Sequence, residues 1–164
     1  MSETKRINAY EVMFLISQGE AADFAGVIEH INHLLERAEA VILGMQKWDE
    51  RRLAYEIDKQ KRGVYILTYV KAPAENIQAF ERDCNLSERI MRVLIVRADH
   101  LTEEEMRAHD RRGDLATEAK ERALRAAERE QSGGSVSLGA PKRDEPEAQD
   151  EAEAEEAEAT ADAE

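Results

Sequence analysis

The sequence is poor in cysteine, proline and aromatic residues, and each shortage removes a class of explanation. Cys84 is the only cysteine among 164 residues, so no intramolecular disulfide can form, and no neighbouring Cys or His stands at ligand spacing to make a zinc site. Phe, Trp and Tyr together make up 5% of the chain, so whatever core exists must be aliphatic. No run approaches eighteen apolar residues, and the polar start Met1 to Asn8 is not followed by a signal-peptide core. The expectation is a cytosolic protein, neither membrane-spanning nor secreted. No glycine-rich phosphate loop is present, and nothing asks for a cofactor or a small-molecule substrate.

Charge is abundant but unevenly placed. Residues 1 to 100 hold 14 basic against 16 acidic side chains, a net of −2, whereas residues 101 to 164 hold 9 against 20, a net of −11. The acidity therefore belongs to the C-terminal part, and an anionic partner for the first hundred residues stays open. Asp144 to Glu164 contains 11 acids and no base, and from Ser132 onward Val136 and Leu138 are the only large aliphatics. Such a composition cannot offset chain entropy and predicts disorder.

The periodicities divide the first hundred residues into six elements. Ala9 to Ile16 reads as a strand, and Phe24 to Ala38 carries an apolar stripe at spacings of three and four that predicts a helix. Val41 to Met45 starts a strand, Arg52 to Ile57 resumes one, and Val64 to Val70 returns after the charged turn Asp58 to Gly63, whose last residue tolerates positive φ. Pro73 fits the first turn of a second helix with a narrow stripe of Ile77, Phe80 and Cys84. Ile90 to Ala98 is the last strand. The order βαββαβ predicts an α+β, ferredoxin-like split βαβ fold: a four-stranded antiparallel sheet with two helices on one face. The expected domains are a core over 1–100, a charged helical extension over 101–131 that opens with the Thr102/Glu105 capping box and is mostly solvated, and a disordered acidic tail over 132–164.

Catalytic candidates do not survive inspection. His30 and His33 lie one helical turn apart, but no third ligand is spaced to join them, and a solvated or partly packed pair is expected. Cys84 lies on an apolar stripe with nothing nearby in sequence to lower its pKa, so a small buried hydrophobe is expected rather than a nucleophile.

The sheet faces say more. If Val12, Phe14, Ile16, Ile66 and Val70 face the helices, the two-residue period sends Met13, Leu15, Tyr65, Leu67, Tyr69, Leu94 and Val96 to the opposite face, beside Arg92. So apolar a face predicts a protein partner, unless the C-terminal helix or self-association covers it. Arg62 to Tyr69 partly follows the aromatic strand of RNA-recognition motifs, with Val64 where an aromatic is expected; a free-standing single-stranded RNA binder is the alternative reading. Arg51, Arg52, Lys59, Lys61, Arg62, Arg89, Arg92 and Arg97 cluster in and around adjoining strands and are the candidate phosphate contacts.

Tyr10-Glu11-Val12, Trp48, the run Arg51-Arg52-Leu53-Ala54-Tyr55, Ile57, Gly63, Tyr65 and the segment Ile90 to Arg97 together resemble the bacterial small-subunit ribosomal protein S-six family over about residues 8 to 100. The resemblance implies a ferredoxin-like, non-catalytic component of the small ribosomal subunit. That component would bind the central domain of small-subunit rRNA together with ribosomal protein S-eighteen during platform assembly. The chain departs from the family pattern where Trp-Gly-Arg becomes Trp48-Asp49-Glu50 and Tyr-Pro becomes Tyr55-Glu56. Asn8 and Ala9 also stand where a basic residue commonly precedes Tyr-Glu.

Overall fold

The computed structural model describes residues 5–132; the acidic segment expected to be disordered falls outside them, apart from Ser132. Four strands form one antiparallel sheet in the order β2-β3-β1-β4: β1 Ile7–Ser17, β2 Val41–Ile57, β3 Gln60–Pro73 and β4 Arg92–Arg97. Helices α1 Phe24–Arg37 and α2 Ile77–Leu86 pack on one face, which is the expected ferredoxin-like arrangement. Alternation along β1 explains why this face is dry: Tyr10, Val12, Phe14 and Ile16 join Ile66 and Val70 from β3 against Phe24, Val27, Ile31 and Leu35 of α1. Phe80 meets Phe14 edge-on at 6.3 Å between ring centres, and Cys84 is fully buried beside it.

Three local expectations are corrected. β2 is unbroken across the polar Lys47–Glu50 stretch expected to interrupt it, because β3 stays paired across that stretch and irregularities in register absorb the mismatch. The hairpin turn is Asp58-Lys59, with φ of 49° and 63°, so these residues rather than Gly63 take the left-handed region that a two-residue hairpin loop needs. Gly63 lies in β3, where a Cβ would stand 2.5 Å from Leu15 Cδ1 and 3.1 Å from the Ile16 carbonyl oxygen; its role is close approach. Pro73 ends β3, with ψ of 130°, because the ladder continues through it as Ala74 N donates to Arg6 O. A 3-10 turn, Ala74–Asn76, then precedes α2.

Past β4 the chain crosses both faces of the sheet. Helix α3, Glu103–Ala108, starts with the complete Thr102/Glu105 capping box and inserts Met106 against Leu43, Leu67 and Tyr69 on the outer face. The connection then rounds the edge of β2, where Arg111 N donates to Met45 O at 2.9 Å. Gly44 permits this closeness, since a Cβ there would sit 2.5 Å from the Met106 carbonyl oxygen. Helix α4, Arg112–Ser132, returns on the helical face with Leu115 in the main core. Met106 and Leu115 anchor the extension, and most residues of α4 beyond Leu115 are exposed.

Candidate RNA and partner interface

The second half of β2 and the start of β3 form a hairpin arm, residues 51–62, fastened by Leu53 and Ile57. Both pack with Leu15, with Tyr65 and Met91 closing the cluster. The arm carries five basic residues, Arg51, Arg52, Lys59, Lys61 and Arg62, against two acids, Glu56 and Asp58, a net of +3. Arg52 and Arg62 are direct cross-strand partners. Like charges in that position repel each other, and no acid within the described residues neutralises either side chain. Lys59 in the turn is likewise unpaired, while Lys61 reaches Glu56 at 3.3 Å and Arg51 reaches Asp49 at 3.6 Å.

The other three candidates divide. Arg92 is exposed opposite Leu15 in the register, close to the root of the arm, and its guanidinium donates only to the Met91 carbonyl at 3.2 Å. Arg89 is committed to the first turns of the helical layer, with Asp23 at 3.1 Å and Glu20 at 3.7 Å. Arg97 stands opposite Tyr10 at the other end of β4 and pairs with Asp99 at 2.9 Å. Five of the eight basic candidates thus share the arm and Arg92 adjoins it, whereas Arg89 and Arg97 lie apart.

The outer face is only partly open, which corrects the expectation for three of its residues. Leu67 and Tyr69 are covered by Met106, Ala98 and Leu43, and Leu15 by Leu53 and Ile57 of the curling arm. Tyr65 and Met13 are half-buried. Leu94 and Val96 on the edge strand β4 remain 60% and 45% exposed. The two tyrosines needed for base stacking on the sheet are occupied: Tyr69 lies 5.5 Å from the His109 ring, and Tyr65 makes an edge contact with Trp48 at 5.8 Å. Burial, with the nearby Glu11 carboxylate, pushes the Tyr69 hydroxyl above its ordinary value.

A charged cluster not foreseen from the sequence holds α4 in place. Arg122 donates to Glu50 at 2.6 Å, to Glu118 at 2.7 Å and to the Ala21 carbonyl at 3.1 Å, and it lies 5.0 Å from the centre of the Phe24 ring. Lys47 joins the same carboxylates, Glu118 at 2.6 Å and Glu50 at 3.0 Å. Burial pushes both carboxyls up, but the hydrogen bonds from Lys47 and Arg122 outweigh it and leave each below its ordinary range. A long-range contact of four side chains leaves no periodic trace; its local hints are the i,i+4 spacing of Glu118 and Arg122 and the i,i+3 spacing of Lys47 and Glu50.

Among the described residues no chemistry gathers elsewhere. His30 bonds Ser87 Oγ at 2.8 Å, and among the described residues no group of three or more His, Cys, Asp or Glu could hold a metal ion. Burial pushes the Cys84 thiol up to about 12, which leaves it without thiolate at neutral pH. No helix of the described residues is long and apolar enough to cross a membrane.

A split βαβ sheet with a cationic arm and an apolar edge has the surfaces of a binding domain. The family model of ribosomal protein S6 matches residues 9–97. The small ribosomal subunit protein bS6 of Fusobacterium nucleatum is 34% identical over 91 residues, covering 55% of this chain and 97% of that protein. Its counterpart in Halalkalibacterium halodurans is 38% identical over 89 residues, covering 54% and 94%. The crystal structure of 30S ribosomal protein S6 from Thermotoga maritima superposes with a TM-score of 0.54 at 25% identity, covering 63% of this chain and 98% of that one. The chain belongs to the ribosomal protein S6 family, whose members are structural proteins of the small ribosomal subunit and not enzymes.

Proposed function

We propose that this protein binds the central domain of small-subunit rRNA through its hairpin arm and receives ribosomal protein S-eighteen on the apolar edge of its outer face, in assembly of the subunit platform. The observation that carries the RNA contact is the unpaired, cross-strand Arg52/Arg62 couple on an arm of net charge +3. Two facing guanidiniums cost the free protein stability, and a phosphate between them would relieve that cost. Lys59, which has no acid partner among the described residues, extends the cationic surface and Arg92 continues it at the root. Arg51 and Lys61 lie on the same arm, where the local acids Asp49 and Glu56 answer part of their charge, and Arg89 and Arg97 contribute little, being held by acids away from the arm. The protein contact falls to Leu94 and Val96 with Met13, where apolar surface is still exposed. Leu67, Tyr69, Tyr65 and Leu15 adjoin that surface on the same face, Leu67 directly opposite Met13.

The test is titration of a central-domain rRNA transcript at several salt concentrations. Replacing Arg51, Arg52 or Arg92 by Ala should weaken binding and reduce the magnitude of the salt slope by about one each; unchanged slopes in all three would overturn the assignment. Leu94→Glu should fold normally but lose S-eighteen in a pulldown, because burying an unpaired carboxylate at an interface costs about 2 to 5 kcal/mol.

A further inference from the structure

The arm contains an opening beside Arg52. Arg52 pairs with Arg62 and Ile57 pairs with Gln60, so Leu53, Ala54, Tyr55 and Glu56 of β2 stand against Lys61 alone. Such a bulge must bow the longer strand outward, and bulges are built where a side chain has to be re-aimed. Leu53 and Ile57 are held down on Leu15, which leaves Ala54, Tyr55 and Glu56 on the outside of the bow. The result is a cleft of about 230 Å³ lined by Arg52, Leu53, Ala54, Tyr55, Glu56 and Lys61.

Tyr55 is 71% exposed. It has no cross-strand partner in the ladder, and within the described residues it makes neither a ring contact nor a hydrogen bond. An aromatic residue in a sheet normally contributes by packing across strands, and Tyr55 is placed where it cannot. Nor does it fill the core.

We infer that this cleft receives one unpaired nucleotide of RNA, with its base stacked on the Tyr55 ring and its phosphate held by Arg52. The inference rests on the RNA-binding reading of the arm and adds the kind of RNA the arm selects. Base faces are hidden inside a duplex and are offered by single strands, bulges and loops, where proteins take them on aromatic rings. Arg52 supplies the charge, since it has no acid of its own; Lys61 is already balanced by Glu56 across the cleft. A volume of about 230 Å³ is on the scale of one base, and the Glu56 carboxylate among the lining residues would repel the backbone and favour the Arg52 side.

The full chain is titrated at low salt with an octa-adenylate and with a fully paired twelve-base-pair RNA duplex. Tyr55→Ala should weaken octa-adenylate binding by about tenfold, the scale of one lost base–aromatic stack, and leave the duplex unaffected. Tyr55→Phe should bind as the parent does. Arg52→Ala should weaken both RNAs and lower both salt slopes by about one. Calorimetry of each variant separates a folding defect from lost binding, because Tyr55 is exposed and its removal should leave the thermal transition unchanged. Octa-adenylate binding unaltered by Tyr55→Ala, or both RNAs weakened equally by it, overturns the nucleotide cleft while the phosphate reading of the arm stands. Failure of the parent chain to bind either RNA overturns both.

Discussion

Arg122→Met tests how the C-terminal helix is attached. Methionine keeps an apolar stem over Phe24 but removes the donor to Glu50, Glu118 and the Ala21 carbonyl. Lys47 is then left to balance two carboxylates alone. The Arg122, Glu50 and Glu118 side chains are 18%, 25% and 27% exposed, so the loss falls between two limits. Exposed ion pairs are worth less than about 1 kcal/mol, and breaking a fully buried pair costs about 3 to 5. A cost of about 2 kcal/mol follows, or a Tm lower by about 8 °C for a domain of this size. Both carboxyls titrate below their ordinary value in the folded chain, so their contribution is complete above about pH 4.5 and is lost as pH falls through the lowered folded values. The variant has less to lose there, so the gap between it and the parent should narrow towards pH 3. Urea unfolding at pH 7 and at pH 3 measures this, with exposed Arg125→Met as a control that should not move. A difference under about 0.5 kcal/mol at pH 7, or one equally large at pH 3, would refute the argument.

Gly63→Ala should destabilise by about 1 to 3 kcal/mol in urea unfolding, since the added methyl meets Leu15 Cδ1 at 2.5 Å and the rigid Ile16 carbonyl at 3.1 Å; a neutral result would mean the arm gives way freely. Met106→Ala should cost about 2 to 5 kcal/mol and, if it unseats α3, speed amide exchange at Arg111, whose N–H bonds the Met45 carbonyl. Parental protection there would show that Met106 is not what holds the extension. Cys84, buried and with its thiol pushed up to about 12, should resist iodoacetamide near pH 8 in the folded chain and react at once in denaturant; equal rates in the two conditions would contradict its burial.

Most of the fold was legible because its signals are local. The stripe Phe24, Val27, Ile31, Leu35 and the alternation Val12, Phe14, Ile16 each report a face without knowledge of the rest of the chain. What escaped depends on partners far away in sequence. The polar run Lys47–Glu50 looks like a break in β2, yet β3 stays paired across it by shifting register at Trp48, and its Lys47 and Glu50 are polar because they meet Glu118 and Arg122 of α4. Gly63 looks like a turn residue because it follows a charged tip; only the position of Leu15 shows that it is there for lack of a side chain.

The outer face of the sheet was legible by the same rule and failed by the same rule. Parity assigned Leu15, Leu67, Tyr69, Leu94 and Val96 to one face correctly, since each step of two along a strand is fixed by the backbone. Parity carries no word on what lies over a face. One methionine in a segment read as mostly solvated, Met106, is enough to close the part around Leu67 and Tyr69, and the curl of the arm closes the part around Leu15. The edge at Leu94 and Val96 is left. Basic residues pose the same problem: Arg52 and Arg89 are indistinguishable in sequence, and they differ because Arg89 finds Asp23 and Glu20 across the helical layer while Arg52 finds another arginine. An arginine whose charge is already answered inside the chain offers little to a phosphate, and one facing its like offers a good deal. The sorting of the eight basic residues therefore comes from their neighbours, and the arm is where that sorting leaves charge unanswered.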